Sequence, residues 1–361
     1  MQRVVFFCFL LTVIGSGLAF GASAPSSTTN LDDVQLDESR LRVHFIDVGA
    51  GLGILIESPG DRKHLFVDGG DQGFRKMKRY VRKFVGNNTI DAHILTHADH
   101  DHFRNFSLLY DDYDIDEFWY TGFTSDELDG LARWPVFFET VKQDGSIQFY
   151  SPIKDYVSAG FHELVDDGGT ANDPSDDLII QYLNVDQFPP ERDPKSGRAF
   201  DESQRRNNAS LVFKLIYGDV SFLITGDING RDKLHFGSSH DDEMDSEEYQ
   251  LVYHHDRDVD RNLVATVLQL PHHGSNGSSS LKFLNAVSPE WVVISAGHKH
   301  DHPKEDTLRR IEKAGINKVL RTDFGDSTPE GMFRRDRAGD DSYIFETDGV
   351  TINKILRVSS P

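Results

Sequence analysis

The chain has 361 residues, of which 38% are hydrophobic, and this is enough for one large domain or two ordinary ones. Its 59 acidic residues outnumber its 38 basic residues and give a formal net charge of −21 at pH 7. So large an acidic excess argues against broad, charge-driven capture of nucleic acid, but it leaves room for a local basic groove or a metal ion that meets a phosphate.

The first 22 residues have the three parts of a secretory signal peptide. Arg3 supplies a basic start, residues 4–14 form an apolar run, and small residues follow at 15–24. The apolar run is well short of the ~20 residues needed to span a bilayer. The sequence therefore predicts a secreted protein, extracellular or periplasmic, with no stable membrane span after signal removal; an uncleaved N-terminal anchor is the alternative.

The one cysteine of the chain, Cys8, lies inside this predicted signal. A mature chain without it has no disulfide and no thiolate ligand. Any metal ion must then be held by His, Asp or Glu.

Short strands open the rest of the chain. Residues 23–40 are small, polar and acidic, which predicts a flexible N-terminal segment. Strand-forming runs bounded by Gly, Pro or Asp predict strands at 41–46, 54–56 and 64–67. Apolar residues at helical spacing predict a helix at 72–85, and a strand is expected at 91–96.

The later segments mix strands and helices. We expect helices at 125–142 and 307–314, and a hairpin of strands 211–217 and 220–225 around Gly218-Asp219. Further strands are expected at 116–120, 178–185, 264–270, 291–295, 318–322 and 343–345. Residues 166–177 and 189–207 look like surface loops, and 241–248 like a mobile acidic insertion. This order predicts an α+β fold, with two sheets packed face to face and helices on their outer sides, in one domain over residues 41–358.

Histidine and aspartate are concentrated directly after the strand at 91–96, in the stretch His97-Ala-Asp-His-Asp-His102. Such a cluster is costly to build unless a cation binds it. Two other strands also run out into such residues, at Gly226-Asp227 and at Pro271-His-His273. Because strand ends converge on one edge of a sheet sandwich, the sequence predicts a metal site built from three distant segments.

The spacing His97-x-Asp99-x-Asp101-His102 resembles the motif of metallo-β-lactamase-fold hydrolases, and specifically their ComEC-like branch of competence proteins. Most of the superfamily has His at the third position, and that branch has Asp, as here. The resemblance covers nearly all of residues 41–322, and further stretches match in order: Phe45-Ile-Asp-Val-Gly49, Phe66-Val-Asp-Gly-Gly70, Asn208-Ala-Ser-Leu-Val212, Leu223-Ile-Thr-Gly-Asp227, Leu270-Pro-His-His-Gly-Ser275 and His302-Pro303. It implies a four-layer αββα sandwich of two mixed β-sheets, as a stand-alone secreted domain.

The resemblance also implies a dinuclear metal site. His97 and Asp99 would hold the first ion, Asp101, His102 and His272 the second, and Asp227 would bridge them. A hydroxide bridging ions ~3.5–4 Å apart would be the nucleophile. The cofactors would be two divalent ions, Zn²⁺ or Mn²⁺ with Mg²⁺ also fitting, because Asn207-Asn208 stands where the superfamily usually has another His and leaves the first site rich in oxygen.

Several assignments stay open at this stage. His273 is the alternative to His272 as a ligand. Asp47 and Asp68 follow strands and either orient ligands or cap turns. His302 is a candidate catalytic residue beside Asp101 and Asp227, as a proton donor or oxyanion ligand, with an ordinary loop histidine as the competing interpretation.

The function predicted from these residues is a secreted metal-dependent hydrolase, best described as a phosphodiesterase or nuclease. Its substrate would be a phosphoester such as extracellular DNA or a smaller phosphodiester. A lactonase or β-lactamase-like hydrolase is the second hypothesis, and it would be expected to have the His-rich first site that Asp99 breaks. The third is a secreted metal-binding module without catalysis.

Overall fold

The computed structural model describes residues 22–86, 89–123, 134–150, 162–169, 173, 175–184, 189–193, 197–230, 246–257, 262–297, 300–323 and 341–359. Within these residues the chain forms sixteen strands and eight α-helices. The predicted signal peptide up to residue 21, residues 241–245 of the acidic insertion and residues 125–133 of a predicted helix lie outside the described part.

The first sheet has nine strands. They are β1 (Thr28–Asn30), β2 (Leu41–Phe45), β3 (Gly53–Glu57), β4 (His64–Asp68), β5 (Ile90–Ile94), β6 (Ile115–Trp119), β7 (Gln148–Tyr150), β15 (Asp341–Thr347) and β16 (Ile352–Ser359). Their order across the sheet is β1-β16-β15-β2-β3-β4-β5-β6-β7. Strands β15 to β4 pair antiparallel and β4 to β7 pair parallel, so the sheet is mixed.

The second sheet has seven strands. They are β8 (His162–Asp166), β9 (Leu178–Asn184), β10 (Val212–Tyr217), β11 (Val220–Ile224), β12 (Val267–Gln269), β13 (Trp291–Ile294) and β14 (Val319–Arg321). They lie in the order β14-β13-β12-β11-β10-β9-β8. The first four strands in chain order pair antiparallel and the last four pair parallel, so this sheet is mixed as well.

The two sheets pack face to face over a shared apolar core. Phe45 and Ile54 of the first sheet belong to one buried cluster with Phe213, Phe222 and Trp291 of the second. Burying side chains of this size contributes about 1.5–3 kcal/mol each. This contact between the inner faces is what fixes the sheets as the two central layers.

Helices cover both outer faces. Helices α1 (Phe74–Phe84) and α4 (Trp134–Gln143) pack on the first sheet through residues such as Tyr80 and Phe138. Helices α6 (Glu247–His255), α7 (Leu281–Val287) and α8 (Glu305–Lys313) cover the second sheet through Leu251, Phe283 and Ile311. The predicted αββα sandwich of two mixed sheets is confirmed. The short helices α2 (His100–Phe103), α3 (Phe106–Leu109) and α5 (Glu202–Asn208) lie in connections between strands.

Residues 246–248, predicted as part of a mobile acidic insertion, lead into α6 instead and bury Glu247 and Glu248. Two further segments differ from their sequence-based prediction. The segment predicted to be flexible, 23–40, contributes β1, which pairs in parallel with β16, and it buries Leu31 and Val34. The predicted loop 189–207 contains most of helix α5, which lacks an apolar stripe but begins with a capping box between Asp201 and Gln204. Strand β1 was missed because its partner β16 is distant in sequence, and α5 was missed because its sequence is polar and has no apolar periodicity.

No helix in the described ranges combines the length and apolarity required to cross a lipid bilayer.

Candidate metal centre

Four strands deliver polar side chains to one edge of the sandwich. Strand β4 ends at Asp68, and the chain leaves β5 through Thr96 and His97. The chain leaves β11 towards Asp227 and β12 towards His273. Strands β4 and β5 are parallel neighbours, as are β11 and β12, so each pair of carboxyl ends meets on the same side.

Three buried groups meet at the middle of this edge. The Asp227 Oδ2 atom lies 3.2 Å from His273 Nε2 and 3.3 Å from His102 Nε2. The two Nε2 atoms are themselves 3.3 Å apart. The other oxygen of Asp227, Oδ1, is buried and has no hydrogen-bond partner among the described residues.

The opposite ring nitrogens show which atoms carry hydrogen. His102 Nδ1 lies 2.7 Å from Asp68 Oδ2, and His273 Nδ1 lies 2.7 Å from the Ser295 carbonyl oxygen. A carboxylate and a carbonyl can only accept, so each Nδ1 is the N–H, and in the neutral rings both Nε2 atoms are lone pairs. With both rings neutral, three acceptors converge without a donor between them, and a divalent cation is a group that fits them.

Two further predicted ligands surround this centre. Asp101 Oδ2 lies 3.8 Å from His273 Nε2, and His97 Nε2 lies 4.0 Å from Asp227 Oδ2. The described residues form two overlapping groups able to hold an ion, His97 with His102 and Asp227, and Asp101 with His102 and His273. Four of the six predicted ligands, His97, Asp101, His102 and Asp227, are thus brought together.

The electrostatics of the free site show the same demand for positive charge. Burial acts to raise the pKa of Asp227, but the facing His273 and His102 rings hold it well below its usual range. Burial acts to lower the pKa of His102, yet the Asp227 and Asp68 carboxylates raise it well above the ordinary value. The carboxylates thus draw a cation to the place where the rings meet.

Asp99 is engaged differently from the other predicted ligands. Its Oδ1 atom accepts a hydrogen bond from Arg206 Nε, and its Oδ2 atom lies 3.9 Å from His97 Nε2. In the amide orientation that satisfies both ends, Asn207 donates to Asp99 Oδ2 and to the Ser203 carbonyl, at 3.2 Å each. Burial raises the pKa of Asp99, against the lowering effect of Arg206. Asp99, predicted as a ligand of the first ion, thus already has a guanidinium as its partner.

Of the two adjacent histidines, His273 faces the centre. His272 Nε2 lies 3.9 Å from Asp227 Oδ2, while its Nδ1 lies 3.1 Å from Asn229 Oδ1 and its side chain is 25% exposed. Both residues adopt left-handed backbone angles, with φ of 50° and 54°, in the turn Pro271–Gly274. That turn points His273 inward and His272 to the rim, so His273, the alternative ligand, lies closer to Asp227 than the predicted ligand His272 does.

Three curated proteins share sequence with this chain, and two of them are competence-related by name. ComE operon protein 3 of Bacillus subtilis (strain 168) is 26% identical over 305 residues, covering 78% of this chain and 32% of the relative. Competence protein ComA of Neisseria gonorrhoeae is 37% identical over 130 residues, covering 36% of this chain and 16% of the relative. The chain is thus similar in sequence to ComEC-like competence proteins. It spans about a third of the length of the first relative and about a sixth of the second.

Likeness to solved structures is remote. Unliganded yeast PDE1 aligns with a TM-score of 0.42 and 11% identity, over 78% of this chain and 97% of that chain. The metallo-β-lactamase fold protein YhfI from Bacillus subtilis aligns with a TM-score of 0.41 and 11% identity, over 78% of this chain and 95% of that chain. No protein-family model matches the chain.

The hydrogen bonds of Asp68 and Asp47 distinguish the roles of these two aspartates. Asp68 holds the His102 ring through Oδ2 and also accepts hydrogen bonds from Thr96, at 2.8 Å from the backbone N–H and 2.7 Å from Oγ1. Asp47 accepts the Gly49 backbone N–H at 3.0 Å and lies 3.9 Å from Lys76 Nζ. Asp68 therefore orients the His102 ring, and Asp47 caps the turn after β2.

His302 lies at the rim, near the two histidines of the 271–274 turn. Its ring centroid is 5.9 Å from that of His272 and 6.4 Å from that of His273. Burial, with the neighbouring His273 and His272, lowers the pKa of His302 to about 3. Its Nδ1 atom is buried and has no hydrogen-bond partner within the described part of the chain.

Sequence reasoning missed the residues that support the ligands. Ser210 Oγ accepts the Asp227 backbone N–H at 3.0 Å and lies 3.3 Å from His97 Nδ1, and the Ser295 carbonyl fixes His273. Nothing in the sequence marks these roles, since serine is common and a carbonyl carries no signature. Arg206 had one available signal, its place directly before Asn207-Asn208.

Proposed function

We propose that this ComEC-like chain is a metal-dependent hydrolase that acts on phosphodiesters. The observation that carries the proposal is the convergence of His102, His273 and Asp227 on one point, where neutral rings would present three acceptors with no donor between them. When bound there, a divalent ion would lower the pKa of water towards ~7 and neutralise charge that develops on a phosphoryl oxygen.

The chain's own residues prepare the centre for this chemistry. Asp68 and the Ser295 carbonyl hold the His102 and His273 rings with Nε2 inward, and so remove the cost of orienting them when an ion binds. His302, held neutral by its surroundings, can contact the substrate from the rim. These groups lie on turns anchored to strand ends, which keeps the site geometry rigid.

The charges favour a phosphoester over a lactam or lactone. Arg206 is 8% exposed and lies against Asp99, so a fixed guanidinium sits on one flank of the centre. A guanidinium suits phosphate oxygens, whereas a lactam ring brings no such charge. The net charge of −21 disfavours a long polyanion away from the centre, so a small phosphodiester or a DNA end would bind more easily than duplex DNA along its length. Secretion, predicted from residues 1–22, belongs to this proposal and would give access to extracellular substrates.

The test is hydrolysis of bis-p-nitrophenyl phosphate by the full chain with Mn²⁺, Zn²⁺ or Mg²⁺. We expect turnover with at least one of these ions, and loss of turnover in the double variant Asp101→Ala/His102→Ala. The matched control is Asp144→Ala, which removes an exposed carboxylate bonded to Ser146 and should hydrolyse the reporter as the wild type does.

The contrary outcomes are distinct. Turnover of a β-lactam or a lactone, with none of the phosphodiester, would replace the proposed substrate class. Bound metal without turnover of any of the three substrate types would favour a metal-binding module over an enzyme.

A further inference from the structure

The contact between Arg206 and Asp99 divides the predicted dinuclear site into two unequal halves. On one side, Asp101, His102, His273 and Asp227 turn lone pairs towards a common point, with neighbouring donor atoms 3.2–3.8 Å apart. On the other side, Asp99 is the predicted oxygen ligand, and Arg206 already donates to it. Asp99 belongs to neither of the two groups of described residues whose donor atoms cluster within metal-binding reach.

Helix α5 fixes Arg206 in this position. The helix begins at a capping box, in which Asp201 Oδ1 accepts the Gln204 N–H at 2.8 Å and Gln204 Oε1 accepts the Asp201 N–H at 3.0 Å. At the other end, Asn208 Oδ1 accepts hydrogen bonds of 3.2 Å from the backbone and the side chain of Asn229. Arg206 therefore lies on a helix whose two ends are both fixed by hydrogen bonds.

The second carboxylate oxygen of Asp99, Oδ2, also has a hydrogen-bond donor. The amide of Asn207, from the same helix turn, donates to Oδ2, the oxygen nearer His97. Both carboxylate oxygens of Asp99 thus have donors from α5. An ion in the first half would have to displace the contact between the Arg206 guanidinium, which is 8% exposed, and the Asp99 carboxylate.

We propose that Arg206 takes the place of one of the two cations, and that the centre binds a single divalent ion on the His102–His273 side. The Arg206 guanidinium supplies the fixed positive charge of the other half, with Asp99 as its anchor. Asp99 is then a positioning residue for Arg206 rather than a metal ligand. The inference rests on the proposed function only in requiring that the centre binds metal, and it does not depend on the substrate.

The experiment is a count of bound ions on the full chain. The chain is stripped with a chelator, dialysed against Mn²⁺, and measured by elemental analysis and by electron paramagnetic resonance, which separates an isolated Mn²⁺ from an exchange-coupled pair. We expect one ion per chain with an isolated signal. Two ions with a coupled signal in the wild type would overturn the inference and leave the hydrolase proposal intact. No bound ion would overturn both.

Variants separate the roles of the two aspartates. Asp99→Asn keeps the shape and an acceptor for Arg206, so we expect its Mn²⁺ affinity to stay within about threefold of the wild type. Asp101→Asn removes a ligand and should lose more than the about 10–100-fold that loss of an orienting partner costs. Equal losses in the two variants would show that Asp99 is a ligand and would overturn the inference.

Arg206→Met keeps the aliphatic stem of the side chain and removes the charge. We expect this variant to take up a second ion at high Mn²⁺ concentration, because Asp99, His97 and Asp227 are then free to hold it. A count that stays at one in a folded Arg206→Met variant would show that Arg206 does not exclude the ion. If that variant does not fold, the paired aspartate variants decide the question. Reporter hydrolysis measured on the same samples is independent of the count, so a single-ion chain without turnover would sink the proposed function alone.

Discussion

At the scale of single residues, the centre is defined by which atom of each side chain is already occupied. His102 and His273 each use Nδ1 to donate to a fixed acceptor and are left with Nε2 for an ion. His272, the neighbour of His273, uses Nδ1 towards Asn229 and keeps its Nε2 3.9 Å from Asp227. His272 and His273 thus differ in how close Nε2 comes to Asp227, because their Nδ1 atoms have different partners.

The orienting role of Asp68 gives the prediction at this scale. Asp68→Asn removes the negative charge behind the His102 N–H, and we expect metal affinity to fall about 10–100-fold, as for other orienting carboxylates. The measurement is Mn²⁺ or Zn²⁺ affinity by isothermal titration calorimetry.

Asp47→Asn is the matched control for that variant. Asp47 is 3% exposed and also follows a strand of the first sheet, but its carboxylate caps the turn at Gly49. Its affinity for the ion should stay near that of the wild type. An equal fall in both variants would mean that buried charge, rather than orientation of His102, decides the affinity.

At the scale of elements, the turn between β2 and β3 packs against helix α2, which contains Asp101. The Leu52 backbone N–H donates to the Asp101 carbonyl at 3.3 Å, so the turn lies directly against α2. Gly51 has φ of +113°, and a Cβ added there would lie 1.9 Å from that carbonyl oxygen. No side chain fits between the turn and the helix unless one of them moves.

Gly51→Ala is therefore expected to be strongly damaging. Positive φ costs about 1–3 kcal/mol for a residue with a side chain. The clash with the Asp101 carbonyl oxygen would lower the stability further and displace Asp101, a predicted ligand. We expect a lower unfolding free energy in urea together with weaker metal binding.

Gly86→Ala is its control. Gly86 also has positive φ, at +67°, but a Cβ there would have no atom within 4 Å. The free energy of unfolding of Gly86→Ala should fall only by the backbone strain, about 1 kcal/mol, and its affinity for metal should not change. If the two variants are equally destabilised and both bind metal normally, the close packing of Gly51 against Asp101 is not important for the centre.

At the scale of the whole molecule, an ion at this edge would connect the two sheets. His102 follows β5 of the first sheet, whereas Asp227 and His273 follow β11 and β12 of the second. An ion that binds only the folded chain stabilises it by about 2.7 kcal/mol at 100 times its dissociation constant. Metal binding should therefore be visible in global stability as well as in activity.

Removal of the ion gives the prediction at this scale. With the chelator in excess, we expect Tm to fall by about 5 °C, from the usual shift per kcal/mol in domains of this size. The measurement is differential scanning calorimetry of one sample with and without Mn²⁺. His273→Ala, which lacks a central ligand, should show almost no shift, and a full shift in that variant would place the stabilising ion elsewhere.

The sequence by itself determined the fold class and the chemistry of the centre. Strand-forming runs that end in His or Asp predicted the two sheets and the edge where these residues meet, and the motif from His97 to His102 marked the candidate ion-binding loop. These features were readable because they are local: alternation, turn residues and ligand spacing lie within a few positions of one another.

Only the tertiary structure decided how the ligands are divided. The choice of His273 over His272 depends on the twist of one turn, and the capture of Asp99 by Arg206 joins residues 107 positions apart in sequence. The edge strand β1 likewise exists only because β16, more than 300 residues later, pairs with it. Contacts between distant residues leave no local pattern, so their outcome is set by packing and by competition for the same hydrogen-bonding atoms.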